Sequence, residues 1–226
     1  MSGIEFMRWL GLAGVSLVLS ACMLGGQPSP VTIMAPNVSM PAEFEVEAVD
    51  WSLQVQRPVA DQMRDSERVL VRRTPSRLQV YPGAAWLDST PEMLQSLIIR
   101  AMTDSQRFDG IGRGGGLRAR YRLVTEIRHF EAVDDGSDDL GVDLVIQAGL
   151  VHQRSSRQVA GHTFRHSARS QGKGIGPLIE TWEGVLNEFL FDLTVWVVEQ
   201  GAQADAELEQ RLEDDERRRW RDRDDR

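Results

Sequence analysis

Alternating and periodic apolar positions along the chain predict strands, then a helix, then longer strands and a second helix. The predicted strands lie at residues 51–56, 68–72, 78–81, 120–128, 142–150 and 158–168. Pro82-Gly83 is expected to end the third strand, and the acidic segment 134–139 is expected to form a hairpin loop. The order of these segments predicts a folded domain that begins near Trp51.

Two amphipathic helices are predicted from apolar residues spaced three and four apart. The first has Thr90 as its N-cap and Pro91 at its first helical position, and it ends before Gly110. The second opens at Pro177 and is expected to stop at Gly201. We therefore expect an α+β domain in which a single, mostly antiparallel sheet carries both helices on one face.

The first 21 residues are typical of a signal peptide rather than of the folded domain. A short segment with Arg8 precedes a small apolar run, which is shorter than the ~20 residues that span a bilayer. The run leads into Leu19-Ser20-Ala21-Cys22, which resembles the lipobox of bacterial lipoproteins. This resemblance implies cleavage between Ala21 and Cys22 and attachment of lipid to the Cys22 thiol. Met1 and Met7 both remain candidates for the start of translation.

The residues that follow predict a tether, a domain and a charged tail. Cys22 is the only cysteine, so a lipidated chain has no thiol left for a disulfide. Residues 22–49 are rich in proline and glycine and predict a flexible tether, followed by a domain at 50–201. Residue 23 is not the aspartate that commonly retains such proteins at the inner membrane, which favours the outer membrane. Residues 202–226 predict an exposed helix or disorder, with docking to a partner as the alternative.

Composition and motifs give no sign of catalysis, cofactor or metal. A formal charge of −8 offers no basis for nucleic-acid binding. Gly110–Gly115 matches a dinucleotide pattern, but a helix precedes it and a strand follows, the reverse of the order that such a site requires. The four histidines form no H-E-x-x-H motif, and no cysteine beyond Cys22 could help to bind zinc. We therefore predict no catalytic residue, cofactor or metal.

Trp86 and Tyr81 are the candidate partner surface. Trp86 lies in the predicted strand-to-helix loop 83–88, with Tyr81 nearby in the sequence. An exposed aromatic side chain in such a loop suits a protein interface. The alternative is that Trp86 fills the edge of the hydrophobic core. Both interpretations are open on the sequence alone.

From about Leu53 to Gly201 the chain resembles the ABC-type transport auxiliary lipoproteins. The positions that carry the resemblance are Val55-Gln-Arg-Pro58, Asp65-Ser66, Arg68–Arg72, Arg77–Tyr81, Ala85-Trp86, Pro91–Arg100, Arg107-Phe108, Tyr121-Arg-Leu, Phe130 and the helix with Trp196. The family usually has arginine before this tryptophan, where the chain has Ala85. The resemblance implies a non-catalytic, periplasmic accessory subunit that binds a mammalian-cell-entry (MCE) domain protein and its ABC permease and ATPase in lipid transport.

Two other functional classes remain as alternatives. One is an envelope structural or assembly lipoprotein that acts without a transporter. The other is a periplasmic hydrolase, which would need a nucleophile and a base to meet in space. The sequence leaves open whether the protein forms a homo-oligomer.

Overall fold

The computed structural model describes residues 30–40, 46–114, 116 and 118–224. Within these residues it contains eight strands and two helices, all in one unit that spans Thr32–Arg226. The strands are β1 Thr32–Met34, β2 Ser52–Val55, β3 Arg68–Thr74, β4 Arg77–Trp86, β5 Gly110–Gly112, β6 Tyr121–Val133, β7 Gly141–His152 and β8 Arg157–Arg169. The helices are α1 Thr90–Asp104 and α2 Ile175–Asp224.

The strands form one mixed sheet centred on β6. On one side β6 pairs antiparallel with β7, which pairs antiparallel with β8. On its other side β2 and β3 pair parallel with the two ends of β6, at Tyr121–Leu123 and Glu131–Val133. β4 is antiparallel to β3, whereas β1 joins β4 and β5 joins β2 in parallel. The α+β prediction is confirmed, but the prediction of a mostly antiparallel sheet is wrong.

The parallel pairs arise because short N-terminal strands join elements far along the chain. The connection from β2 to β6 includes α1, as parallel neighbours require a long crossover. Such pairings leave no local trace in the apolar pattern. The glycine-rich segment after α1 supplies the short strand β5 beside β2.

The hydrophobic core lies between the inner face of the sheet and the two helices. Leu94 and Ile98 of α1 and Leu186 and Phe189 of α2 are fully buried in the same cluster. Ser89 caps α1, one residue before the predicted Thr90, and Pro91 occupies the first turn. In the described part of the chain, neither helix combines the length and the apolar character needed to cross a bilayer.

Helix α2 passes through Gly201 without a break and continues to Asp224. The prediction that Gly201 ends this helix is therefore wrong. Gly201 has a packing role instead: a Cβ there would lie 2.8 Å from Cη2 of Trp51 and closer still to Cζ2. The indole is held in place by edge contacts with Phe108 and Tyr121, at centroid distances of 5.5 and 4.8 Å. Only a residue without a side chain lets this ring lie against the helix.

We expect Gly201→Ala to destabilise the protein although alanine is the better helix former. Steric overlap with the Trp51 ring should cost about 1–3 kcal/mol, typical of overpacking in a core. Gly184 is the matched control because it lies in the same helix with nothing within 4 Å of an added Cβ. Gly184→Ala should stabilise by about 0.5–1 kcal/mol. Denaturant unfolding should thus give opposite signs for the two variants; the same sign for both would contradict the packing role of Gly201.

The predicted tether is shorter than residues 22–49, because residues 32–40 belong to the domain. β1 pairs with β4 through Thr32, Ile33 and Met34. The chain then crosses α2, where the backbone N–H groups of Asn37 and Ser39 donate to Glu183 Oε1 (2.8 Å) and Asn187 Oδ1 (2.9 Å). These two bonds hold residues 37–39 against α2.

Candidate functional site

The candidate surface predicted around Tyr81 and Trp86 lies where β4 passes between β1 and β3. Strand β4 does not end at Pro82-Gly83, as predicted, but continues to Trp86 through an irregularity in its pairing with β3. The register moves from Leu70 opposite Val80 to Arg68 opposite Ala85, which leaves extra residues on β4. Gly83 has a φ of 73°, a value that suits glycine at such a kink.

Trp86 is a core residue, and its assignment to a partner surface is corrected by the structure. Its side chain is 1% exposed. It makes edge contacts with Phe130 and Trp182 at centroid distances of 5.5 and 5.6 Å, and those two rings stack at 4.3 Å. The alternative interpretation, in which Trp86 fills the core edge, agrees with this packing. The predicted loop at residues 83–88 is wrong at Trp86, because this residue is the last of strand β4 and its side chain faces the core.

Tyr81 is half-buried, and its hydroxyl donates to the carbonyl of Lys173 at 3.0 Å. The bond ties the β4 kink to the connection that precedes α2. Part of the ring remains accessible, so Tyr81 stays a candidate for partner contact. The structure thus separates the two predicted surface residues: Trp86 is in the core and Tyr81 is half-buried at its margin.

A network of ion pairs joins the β2–β3 connection to the start of α1. Arg57 donates to Asp65 Oδ1 at 2.7 Å and to Glu92 Oε1 at 2.6 Å, and Arg113 reaches Glu92 Oε2 at 3.2 Å. The hydrogen bonds that Arg57 donates to Asp65 and then to Glu92 raise the pKa of Arg57 above its ordinary value. Arg57 and Asp65 are among the residues that carry the family resemblance, and this contact gives them a structural reason.

A buried carboxylate that was not predicted from the sequence lies on the outer side of the sheet. A register shift between Ile127 and His129 turns Phe130 towards the core and Glu131 away from it. Glu131 is 0% exposed and accepts hydrogen bonds from Arg64, Arg72 and the backbone N–H of Phe130. The available signal was a glutamate within the apolar run at the end of β6. Its arginine partners lie about 60 residues away, so local patterns could not pair them.

The first turns of the charged tail are docked on the domain. Asp205 accepts from Arg120 at 2.7 Å and from the hydroxyl of Tyr121 at 2.8 Å. Burial, and then the bond to Asp205, raises the pKa of Tyr121, so the hydroxyl remains a donor at neutral pH. Beside this contact is a groove of about 550 Å³ between α2 and the β7–β8 hairpin. The exposed-helix prediction for the tail agrees with α2, and docking of a partner remains an open alternative.

Three of the four histidines lie beside a hydroxyl or a carboxylate. His129 contacts Asp143 at 2.6 Å, His152 contacts Ser155 at 2.9 Å, and His166 lies 3.5 Å from Asp192. Among the residues that the structure describes, no three His, Cys, Asp or Glu side chains converge as metal ligands would. The predicted cleavage and lipidation residues, Ala21 and Cys22, lie outside the described residues.

The family model for the ABC-type transport auxiliary lipoprotein component matches residues 34–192. The chain belongs to this family. The match begins within β1, which agrees with the inclusion of residues 32–40 in the auxiliary-lipoprotein domain. Members of this family are auxiliary lipoprotein components, and the family is not a known class of enzyme. A lipoprotein family implies a membrane-anchored location in the envelope.

Solved structures share the fold of this auxiliary lipoprotein. A crystal structure of a Xanthomonas campestris protein, described under the family model DUF330, is 31% identical and has a TM-score of 0.74. The alignment covers 78% of this chain and 99% of that one. A second crystal structure, of an uncharacterized protein, aligns over 72% of this chain and 99% of its own with a TM-score of 0.54 at 11% identity, which shows the fold alone. No curated protein matches the chain.

Proposed function

We propose that the protein is a periplasmic, non-catalytic accessory subunit of an ABC/MCE lipid transport system, anchored by lipid on Cys22. In this role the domain binds the MCE protein. The ABC permease of the same system moves the lipid, and the ATPase supplies the energy. The observation that carries the proposal is the family match over residues 34–192, a short distance after a sequence with the form of a lipobox at residues 19–22. The anchor is proposed to be in the outer membrane, because Met23 follows the cysteine.

The contacts of the domain support a scaffolding role. Several groups with shifted pKa values take part in ion pairs or hydrogen bonds that join separate segments, such as Arg57 with Glu92 and Tyr121 with Asp205. Shifted groups of this kind stabilise a fold, whereas a catalytic group would face a cleft and a second reactive group. The exposed parts of the molecule are then available for protein contacts.

We expect Cys22→Ala to release the protein from the membrane. Stable anchoring takes more than one acyl chain, and an alanine at this position can accept none. Membrane flotation followed by separation of inner and outer membranes should place the wild-type chain in the outer-membrane fraction and the variant in the soluble periplasmic fraction. Membrane-bound Cys22→Ala at the wild-type level would show that the anchor lies elsewhere.

A genetic experiment separates the transport role from the alternative of an envelope structural or assembly lipoprotein. Strains that lack this protein, the ATPase, or both should be compared for outer-membrane permeability to a large antibiotic. An accessory subunit predicts the same defect in all three strains, because each deletion stops the same pathway. Additive defects in the double deletion would favour the structural alternative.

A further inference from the structure

We infer that an apolar surface at the first strand of the domain, formed by Ile33, Ala85 and Leu87, contacts the lipid bilayer that holds Cys22. We call this surface the β1 patch. The inference rests on the proposed anchoring at Cys22 and adds an orientation to it. The occupant is the lipid surface itself, which the apolar side chains of the patch contact.

The length of chain between Cys22 and β1 keeps this part of the domain close to the anchor. Nine residues separate Cys22 from Thr32. Ten residue steps span at most about 35 Å when fully extended, and a flexible chain of that length has an r.m.s. reach of roughly 15–20 Å. A domain of about 150 residues has a radius of gyration near 15 Å and is therefore roughly 40 Å across, wider than this reach. The side of the domain that carries β1 therefore faces the membrane.

The register of β1 and β4 brings the apolar residues of the patch together. Ile33 pairs with Ala85, while the neighbouring pair of Met34 and Trp86 points into the core. The N–H of Leu87 donates to the carbonyl of Met34 at 2.9 Å, which extends the ladder by one step. Because side chains alternate along a strand, Ile33, Ala85 and Leu87 share the outer face. Ile33 is 55% exposed and Leu87 is 62% exposed, so their apolar area has no cover within the described chain.

A groove lined by both apolar and polar residues adjoins the patch at Leu87. The groove has a volume of about 310 Å³, and Pro36, Met93 and Leu97 line it with Leu87. This concavity continues the apolar surface beyond the two exposed side chains. It therefore enlarges the area that lipid can cover.

Charges around the patch nearly balance. Arg68 lies opposite Ala85 in the sheet, next to the exposed Glu67, while Arg100 and Asp88 line the groove. Balanced charges provide little attraction to anionic headgroups, so apolar contact would dominate. The patch should consequently meet neutral and anionic lipids alike, with little dependence on salt.

Leu87→Cys tests the inference in the lipidated full-length protein. With Cys22 acylated, the introduced thiol is the only one, and it can carry an environment-sensitive fluorophore. Leu208→Cys is the matched control, because Leu208 is 45% exposed in the later part of α2. Both labelled proteins are reconstituted into vesicles of phosphatidylcholine, with and without phosphatidylglycerol, and flotation is measured first.

A blue-shifted emission at position 87, with at least about twofold quenching by headgroup-labelled lipids and little change at 208, is the expected result. If the protein floats but the label at 87 resembles that at 208, the patch inference fails while the anchor stands. If the protein does not float, the anchor fails and the patch with it. A shift seen only in native membranes, and not in pure lipid, would assign the patch to a protein partner instead.

Discussion

Replacing Glu131 with glutamine should destabilise the protein by about 3–5 kcal/mol, because the change removes one partner of a buried ion cluster. The carboxylate is fully buried and binds Arg64 at 2.9 Å, Arg72 at 3.0 Å and the Phe130 N–H at 2.7 Å. A neutral amide would remove the counter-charge that Arg64 and Arg72 share at this position, whereas Arg64 would keep its ion pair with the exposed Asp61. Domains have total stabilities of only about 5–15 kcal/mol, so urea unfolding at neutral pH should show a large drop in midpoint.

Asp135→Asn is the matched control for this experiment. Asp135 also pairs with an arginine, Arg169, but both side chains are well exposed in the hairpin loop region. Exposed pairs are screened by water and contribute little, so no measurable change is expected. Equal effects of the two substitutions would contradict the special role of the Glu131 cluster.

The effect of Glu131→Gln should depend on pH. Burial raises the pKa of Glu131, but the hydrogen bonds from Arg64, Phe130 and Arg72 together outweigh it, and the pKa falls below its ordinary value of 4.5. A carboxyl with a lowered pKa in the folded state stabilises the protein above its unfolded pKa. This contribution is lost as the pH falls through the lowered value. The difference between wild type and Glu131→Gln should therefore be full at neutral pH and shrink below about pH 4.5.

Trp86→Ala should cost about 3–5 kcal/mol, the usual range for deleting a large buried aromatic side chain. Trp86 is 1% exposed and packs on Phe130 and Trp182, so the cavity would open within the centre of the core. Thermal or denaturant unfolding measures the loss. A variant with unchanged stability and impaired partner binding would restore the interface interpretation that the structure argues against.

Two substitutions make the Trp86 experiment specific. Trp196 is half-buried and contacts Phe164 at the edge of the sheet, so Trp196→Ala should be milder. Trp86→Phe should also be milder than Trp86→Ala, because it keeps most of the ring volume. The Nε1 of Trp86 has no hydrogen-bond partner among the described residues, so its removal sacrifices no hydrogen bond.

Local features of the chain could be predicted from the sequence because they depend on neighbouring residues. The apolar stripe of α1, its start within one residue, and the long strands β6 to β8 follow from periodicity. Gly201 was misread because glycine after a helical pattern usually ends the helix. The glycine is required here by the ring of Trp51, 150 residues away, which no local rule could supply.

The candidate site was only partly predictable for the same reason. The residues of β1 were predicted to be part of the tether, but they pair with β4 and so belong to the domain. This pairing also forms the surface around Ile33. Tyr81 is half-buried and stays a candidate for partner contact. Trp86 is a core residue, because the kink in β4 extends the strand past Pro82-Gly83. Glu131 could have been suspected as a charge in an apolar strand, but its partners became visible only in the folded chain.

The most direct test of the proposed transport role is affinity purification of the tagged, lipidated protein from native membranes in mild detergent. We predict that an MCE-domain protein co-purifies with its ABC permease and ATPase. Cys22→Ala serves as the control, because a chain released from the membrane should recover these subunits in much smaller amounts. Recovery of the folded lipoprotein without any MCE-domain protein would contradict the account.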